Sequence, residues 1–186
     1  MFKYFVLAAA SLSLSAAQAE QITFTFEGRG SGEIDGAVFD DAHFTITAIG
    51  NLDDRVSFRN GYSLQHQQAM IEIDTVGAFE FLIPTRTFVN NAVTRVGFSR
   101  GSGPDLFYGP SDDLFATWDM TDDIGPVTDN TGELLQWSTI STSGGPLSFE
   151  DETGIATTFA AVIPSPSAAS FATLCAVAVL RRSRRR

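Results

Sequence analysis

The chain has 186 residues, of which 44% are hydrophobic, 11% aromatic and 18% charged, so it is too apolar for a disordered protein and has the length of one folded domain. Residues 20–161 hold all 22 acidic residues but only six arginines and no lysine, which gives this stretch a formal net charge of −16. A domain this acidic repels phosphate backbones, which argues against nucleic acid as a partner.

The first 19 residues have the pattern of a secretory signal peptide. Lys3 supplies a positive charge, residues 4–17 are apolar apart from small serines, and Ala17-Gln18-Ala19 places small residues, Ala17 and Ala19, where signal peptidase requires them. Cleavage after Ala19 would leave Glu20 as the new N-terminus. The run is shorter than the ~20 apolar residues of a membrane-spanning helix, so we predict a signal helix that signal peptidase removes.

Residues 20–161 show the period-two alternation of short β-strands. At the start, Ile22, Phe24 and Phe26 share one face, and the residues between them are polar. Further runs rich in aromatic and β-branched residues occupy positions 44–47, 70–74, 79–83, 93–98, 114–118, 135–140 and 154–162. Segments rich in glycine and proline separate them. The pattern predicts an all-β domain, a jelly-roll-like β-sandwich, with a barrel as the nearest alternative.

Aspartates cluster where loops are predicted, most densely between residues 119 and 133. Calcium prefers several oxygen ligands supplied by flexible loops, so this segment offers a candidate structural Ca²⁺ site. Its candidate ligands are Asp119, Asp122, Asp123 and Asp129. The spacing does not match an EF-hand, and the competing interpretation is a set of solvated loop acids that keep the domain soluble.

No catalytic residue is predicted. His43 and His66 are the only histidines, and neither has a second histidine at metal-ligand spacing. A Ser-His-Asp triad would need one of them, but Ser63 lies outside any Gly-x-Ser-x-Gly motif, and His66, between glutamines, is expected to face solvent. Loop carboxylates could hydrolyse glycosides only if two of them faced each other across a cleft.

Aromatic residues suggest a different possibility, a platform on which sugar rings stack. The candidates are Tyr62, Phe107, Tyr108, Trp118 and Trp137. Aromatic side chains at period two more often belong to a core. Phe107 and Tyr108 are the exception, because they lie between two turn segments and are expected to be exposed.

The last 25 residues consist of three parts in a fixed order. Pro164-Ser165-Pro166 interrupts any strand and separates the domain from the apolar segment after it. The 13 residues Ala168–Leu180 are apolar, include the only cysteine, Cys175, and predict a short membrane helix. A cluster of five arginines ends the chain and should stay on the cytoplasmic side of a membrane. These are Arg181, Arg182, Arg184, Arg185 and Arg186.

This tail resembles the PEP-CTERM sorting signal of Gram-negative and planctomycete bacteria, in which a short Pro-Glu-Pro motif precedes an apolar helix and terminal arginines. The resemblance covers residues 162–186, with Ser165 in the place of the usual glutamate. It implies that an exosortase-like enzyme recognises the tail and removes or transfers it, which leaves the domain at the cell surface or in an extracellular matrix. Residues 24–47 also resemble, more loosely, the start of exported proteins with such tails.

The sequence therefore predicts three parts: a signal peptide at 1–19, an ectodomain at 20–161 and a sorting tail at 162–186. The expected function is that of an exported, non-enzymatic protein of the cell envelope, cell surface or extracellular matrix, with signal peptidase, an exosortase-like enzyme and the membrane as partners. A carbohydrate-binding module that contacts extracellular polysaccharide is the alternative. A small carboxylate-dependent hydrolase is the second alternative.

Overall fold

A computed structural model of the chain describes residues 20–164, except 136 and 138. The two predicted terminal helices lie outside this part and stay predictions. The described residues form eleven strands and one short 3-10 helix, Asp113–Ala116. The strands are β1 (Gln21–Ile34), β2 (Ala37–Phe58), β3 (Gly61–Ile73), β4 (Gly77–Glu80), β5 (Thr85–Asn90), β6 (Arg95–Arg100), β7 (Asp105–Ser111), β8 (Ile124–Leu134), β9 (Ile140–Thr142), β10 (Gly145–Phe149) and β11 (Glu152–Val162). No helix of the described part is long and apolar enough to span a bilayer.

The all-β prediction is confirmed, and the sheet is a closed barrel. Eight antiparallel strands follow one another in the order β1, β2, β3, β5, β6, β7, β8 and β11, and β11 pairs with β1 to close the ring. The predicted jelly-roll sandwich is wrong in its topology, and the barrel alternative is the one observed. A jelly roll needs connections that cross between two sheets, whereas here each barrel strand pairs with the next barrel strand along the chain.

Three long strands carry the sheet beyond the barrel. Strands β1, β2 and β3 contain 14, 22 and 13 residues. Beyond the barrel, residues 32–34 of β1 pair with β10, and residues 70–73 of β3 pair with β4. Shifts of register occur between Gly30 and Gly32 of β1 and beside Gly50 of β2, where such irregularities let a strand bend. Strand β9 pairs with β10, and a bridge between Phe81 and Thr142 joins the two outer strands of this extension.

The barrel has a tail end and a far end, which we define by the termini. At the tail end β1 begins and β11 ends, since Thr23 pairs with Val162. The same end holds the β2–β3 hairpin, the β5–β6 turn and the β7–β8 connection with its 3-10 helix. The far end holds the β1–β2 turn and the extension. The two ends of the described chain, at Glu20 and Pro164, therefore leave the domain at the same end.

Aromatic side chains fill the barrel. Phe26 lies at its centre, with its ring centroid 4.8 Å from that of Phe159, 5.8 Å from that of Phe107 and 6.2 Å from that of Phe98. All four rings are fully buried. Full burial of a side chain of this size stabilises the folded state by about 1.5–3 kcal/mol, so this cluster is a principal source of stability in a domain without a disulfide.

The predicted strand at 114–118 is instead a turn of 3-10 helix. A carboxylate oxygen of Asp112 accepts a hydrogen bond from the Leu114 backbone N–H at 2.8 Å, which caps the helix start. The turn buries Phe115 and leaves Leu114 exposed. The hydrogen bond to the Asp112 carboxylate thus favours a helical turn here, although the apolar residues 114–118 indicated a strand.

Candidate functional site

The predicted sorting residues attach to the barrel at its tail end. Val162 is the last strand residue, the Ile163 N–H donates to the Asp123 carboxylate at 2.6 Å, and Pro164 is exposed. The remaining predicted sorting and cleavage residues lie outside the described part of the chain. They are Ala17, Ala19, Ser165, Pro166, Arg181, Arg182, Arg184, Arg185 and Arg186.

Two of the four candidate calcium ligands are occupied by hydrogen bonds to the protein. Asp119 accepts from the Thr121 hydroxyl at 2.6 Å and from Arg55 at 2.7 Å, and these contacts lower the pKa of its carboxyl. Burial raises the pKa of Asp129, but hydrogen bonds from Thr131 and from the Ser111 backbone outweigh it, so the pKa is lowered. Both aspartates are therefore held as carboxylates, and each also joins its segment to another strand, through Arg55 of β2 or Ser111 of β7.

The other two candidate ligands have separate tasks. Asp123 accepts the hydrogen bond from the Ile163 N–H, and the Asp122 carbonyl accepts one from the Trp118 indole N–H at 2.9 Å. Within residues 20–164, leaving out 136 and 138, no group of three or more His, Cys, Asp or Glu is placed to hold a metal. The four aspartates are thus close in sequence but do not form a common cluster in the described structure. The calcium site stays a prediction.

The His66 side chain turns inward, against the expectation that it faces solvent. Although part of the residue remains open to a shallow groove of about 310 Å³, its ring lies between those of Phe98, at 5.5 Å, and Phe24, at 5.8 Å. Its Nδ1 and Nε2 atoms each lie 2.9 Å from a hydroxyl, those of Thr85 and Thr87. Both threonines are buried.

This environment fixes the charge of the imidazole. Burial lowers the pKa of His66 to about 3, so the ring is neutral at physiological pH. A neutral ring with one N–H donor and one acceptor nitrogen matches two hydroxyls, each of which can donate or accept. Since both nitrogens are engaged, neither is free to take a proton from a substrate, and the geometry is that of a satisfied core histidine.

A second groove, of about 360 Å³, opens at the far end. Three carboxylate residues, Glu33, Asp40 and Glu150, line it together with the rings of Phe39 and Phe149. The Asp40 carboxylate accepts a hydrogen bond from the Ser31 hydroxyl at 3.0 Å. The β1–β2 hairpin brings Glu33 and Asp40 together, and the pairing of β10 with β1, from the other end of the chain, adds Glu150.

The predicted aromatic platform is divided between core and surface. Trp118, Trp137 and Phe107 are buried, so the expectation that Phe107 is exposed is wrong. Tyr62 lies partly buried beneath the guanidinium of Arg55, whose central carbon is 4.9 Å from the ring centroid. Tyr108 is also partly buried, and it lies on the outer face of β7, opposite to Phe107.

Tyr108 belongs to a surface cluster that we call the Tyr108 patch, formed by Tyr108, Phe88, Arg95 and Asp105. The Phe88 ring stands edge-on at 6.0 Å, the Arg95 guanidinium lies 5.4 Å from the ring centroid, and the hydroxyl donates to Asp105 at 2.9 Å. Burial, followed by the hydrogen bond to Asp105, raises the pKa of Tyr108. Arg95 also pairs with Glu133 at 2.8 Å.

The Tyr108 patch depends on a glycine. Gly97 pairs with Phe88 across the strands, and a Cβ at this position would lie 2.4 Å from the Phe88 ring and 2.8 Å from the Phe107 carbonyl. We expect Gly97→Ala to lower the free energy of unfolding by about 1–3 kcal/mol, as overpacking does. Urea unfolding followed by tryptophan fluorescence measures the loss.

The partner substitution provides the control for this clash. In Phe88→Ala/Gly97→Ala the ring that the new methyl meets is gone, so the double variant should lose less than the two single losses added together. Strictly additive losses would mean that the Phe88 ring does not lie over Gly97.

Comparisons with known proteins give no match to this chain. No family model, no curated protein and no solved structure matches it. What the protein does is therefore inferred from its own residues.

Proposed function

We propose that this chain is an exported, non-enzymatic protein that a PEP-CTERM-like tail holds or sorts at the cell envelope. Signal peptidase would cleave after Ala19, and the barrel would stay outside the membrane. A short membrane helix at 168–180, with the terminal arginines on the cytoplasmic side, would hold the domain until an exosortase-like enzyme acts near Pro164-Ser165-Pro166. The final location would be the cell surface or an extracellular matrix.

The observation that carries the proposal is the pairing of Thr23 with Val162. Because of it, the predicted cleavage site and the predicted sorting motif leave the same end of a barrel that is closed within residues 21–162. Removing residues 1–19 or the tail would take no strand out of the ring. A domain that is cleaved at both ends must fold without the removed segments, and a barrel closed within residues 21–162 meets this requirement.

The engaged polar groups support a role without catalysis. His66, which lies at a groove, has both nitrogens bonded to threonine hydroxyls. Asp119 accepts hydrogen bonds from Thr121 and Arg55, and Asp129 accepts them from Thr131 and the Ser111 backbone. Catalytic acids and bases instead need an open position toward a substrate atom.

The terminal arginines provide the test. In the full chain produced in an exporting bacterium, replacing Arg181, Arg182, Arg184, Arg185 and Arg186 with serine should move the protein from the membrane fraction to the soluble fraction, since the charges that hold the short helix in place are lost. Fractionation with immunoblotting measures the shift, and mass spectrometry of the N-terminus should find Glu20 first.

Replacing the same five arginines with lysine is the matched control. Lysine keeps the charge, so membrane retention should remain. Full-length protein that still carries residues 1–19 in the cytoplasm would contradict export. A serine variant retained as well as the native chain would contradict the role of the tail.

The Tyr108 patch supports a second candidate, binding of extracellular polysaccharide. A partly open tyrosine beside Arg95 and Asp105 combines an aromatic face with hydrogen-bonding groups, which is what sugars require. The native chain should then be retained on an insoluble polysaccharide, and Tyr108→Ala should elute. Tyr62→Ala, which removes a ring outside the patch, is the control and should be retained. Equal elution of all three would remove this candidate.

A further inference from the structure

The exposed apolar side chains of the barrel concentrate at its tail end. Besides Val162, which leads into the tail, four large hydrophobic residues there are 42–61% exposed, which is unusual for side chains of this type in one small region. They are Val56, Phe58, Val93 and Leu114.

Three neighbouring connections carry these residues. Val56 and Phe58 lie at the tip of the β2–β3 hairpin, where three consecutive side chains, 56–58, are exposed on both faces of the strand. Val93 lies in the β5–β6 turn, which bonds to the hairpin through Asn91 N–H and the Asn60 carbonyl at 2.8 Å. The connections thus lie side by side.

The 3-10 helix completes this surface. The Asn91 side-chain amide donates to the carbonyls of Phe115 and Trp118, at 2.6 and 2.9 Å, which fixes the helix with Leu114 against the β5–β6 turn. We call the set Val56, Phe58, Val93 and Leu114 the apolar rim. The rim lies at the same end of the barrel from which Val162 leads into the tail.

The short segment between the barrel and the predicted membrane helix would keep the tail end of the barrel close to the membrane. Six peptide units separate Val162 from Ala168, where the predicted membrane segment starts. At about 3.3–3.6 Å for each residue, even a fully extended chain spans only about 20 Å. A tethered domain would therefore keep its tail end within reach of the lipid surface at a high effective concentration.

We propose that the apolar rim rests on the lipid surface beside the inserted tail, so that the barrel stands on the membrane with its far end outward. This inference rests on the proposed function, because the tail provides the tether. The contact would be apolar in character, since Arg55 at this end is paired with Asp119 at 2.7 Å, and the exposed Arg59 of the hairpin tip is outnumbered by aspartates 112, 113, 122 and 123 of the β7–β8 connection. Attraction to anionic lipid is therefore not its source.

A depth measurement on the full chain tests the proposal. In a Cys175→Ser background, single cysteines at Val93→Cys or Leu114→Cys carry a polarity-sensitive fluorophore, and the protein is reconstituted in phosphatidylcholine vesicles that contain headgroup spin-labelled lipid. Val38→Cys is the matched control, because Val38 is 77% exposed but lies near the far end. We expect a blue shift and quenching at 93 and 114 and neither at 38, unchanged by added salt or by phosphatidylglycerol.

Each contrary result has its own meaning. A chain that does not float with the vesicles overturns both the tail's role and the rim contact. A chain that floats while labels at 93 and 114 behave like the label at 38 overturns the rim contact and leaves the tail's role standing. A blue shift without quenching that grows with protein concentration also overturns it, and assigns the rim to a second copy of the chain.

Discussion

Replacing Phe98 with alanine is expected to lower the free energy of unfolding by about 3–5 kcal/mol, the usual cost of deleting a buried phenylalanine ring. Phe98 is fully buried, and its ring centroid lies 5.2 Å from that of Phe81, 6.2 Å from that of Phe26 and 6.3 Å from that of Trp137. The cavity would remain, because strand pairing on both sides of β6 keeps the walls in place. Urea unfolding at pH 7 measures the loss.

Phe58→Ala is the control for this prediction, because it makes the same chemical change at the tip of the β2–β3 hairpin. Phe58 is 42% exposed, so less of its apolar surface leaves water on folding, and we expect a loss below about 1 kcal/mol. Equal losses in the two variants would mean that Phe98 does not lie in a packed barrel interior.

The alternation of the first and last strands made them predictable from sequence. Ile22, Phe24 and Phe26 are all buried, as their spacing predicts, because each inward side chain of β1 meets the same core. The run at 154–162 likewise coincides with most of β11. The local sequence pattern is sufficient to predict a strand where one face is buried in the core and the other is exposed to solvent.

The closure of the barrel was not predictable in the same way. It depends on β1 and β11 pairing across most of the chain, and no local pattern distinguishes a closed sheet from two stacked sheets with the same strands. Strand β8 was expected to be an acidic loop, yet Asp129 bonds to Ser111 of the adjacent β7, and Glu133 bonds to Arg95 of β6, one strand further along the sheet. Ion pairs and turn hydrogen bonds stabilise that strand, and hydrophobic periodicity does not detect them.

The inward orientation of His66 follows the alternation of β3, but the neighbouring glutamines indicated the opposite. Leu64 and His66 are two residues apart and share the inner face of β3, whereas Gln65 and Gln67 are exposed. The glutamines suggested a wholly solvated segment. The hydroxyls of Thr85 and Thr87, which make an inward imidazole favourable, belong to another strand and could be assigned only once β5 was placed beside β3.

The same imidazole makes the stability of the domain depend on pH. Because the pKa of His66 is lowered to about 3 in the folded state, the unfolded chain, with a histidine pKa near 6.5, binds a proton that the folded chain does not bind as the pH falls below 6.5. The stabilisation that the neutral His66 ring gives the folded state is therefore complete above pH 6.5 and decreases as the pH falls toward 3. Between pH 7 and pH 4.5 we expect a loss of roughly 2 kcal/mol in urea unfolding experiments.

His66→Gln separates this effect from the titration of carboxylates. Glutamine does not titrate, so the variant should start from a lower stability at pH 7, because packing between Phe24 and Phe98 is lost, and then change little down to pH 4.5. The carboxylates with lowered pKa values, Asp41, Asp119 and Asp129, release their stabilisation only as the pH falls through about 4 and below, outside this window. Parallel pH curves for the native chain and the variant would mean that another group is responsible, and that the His66 ring already titrates freely in the folded barrel.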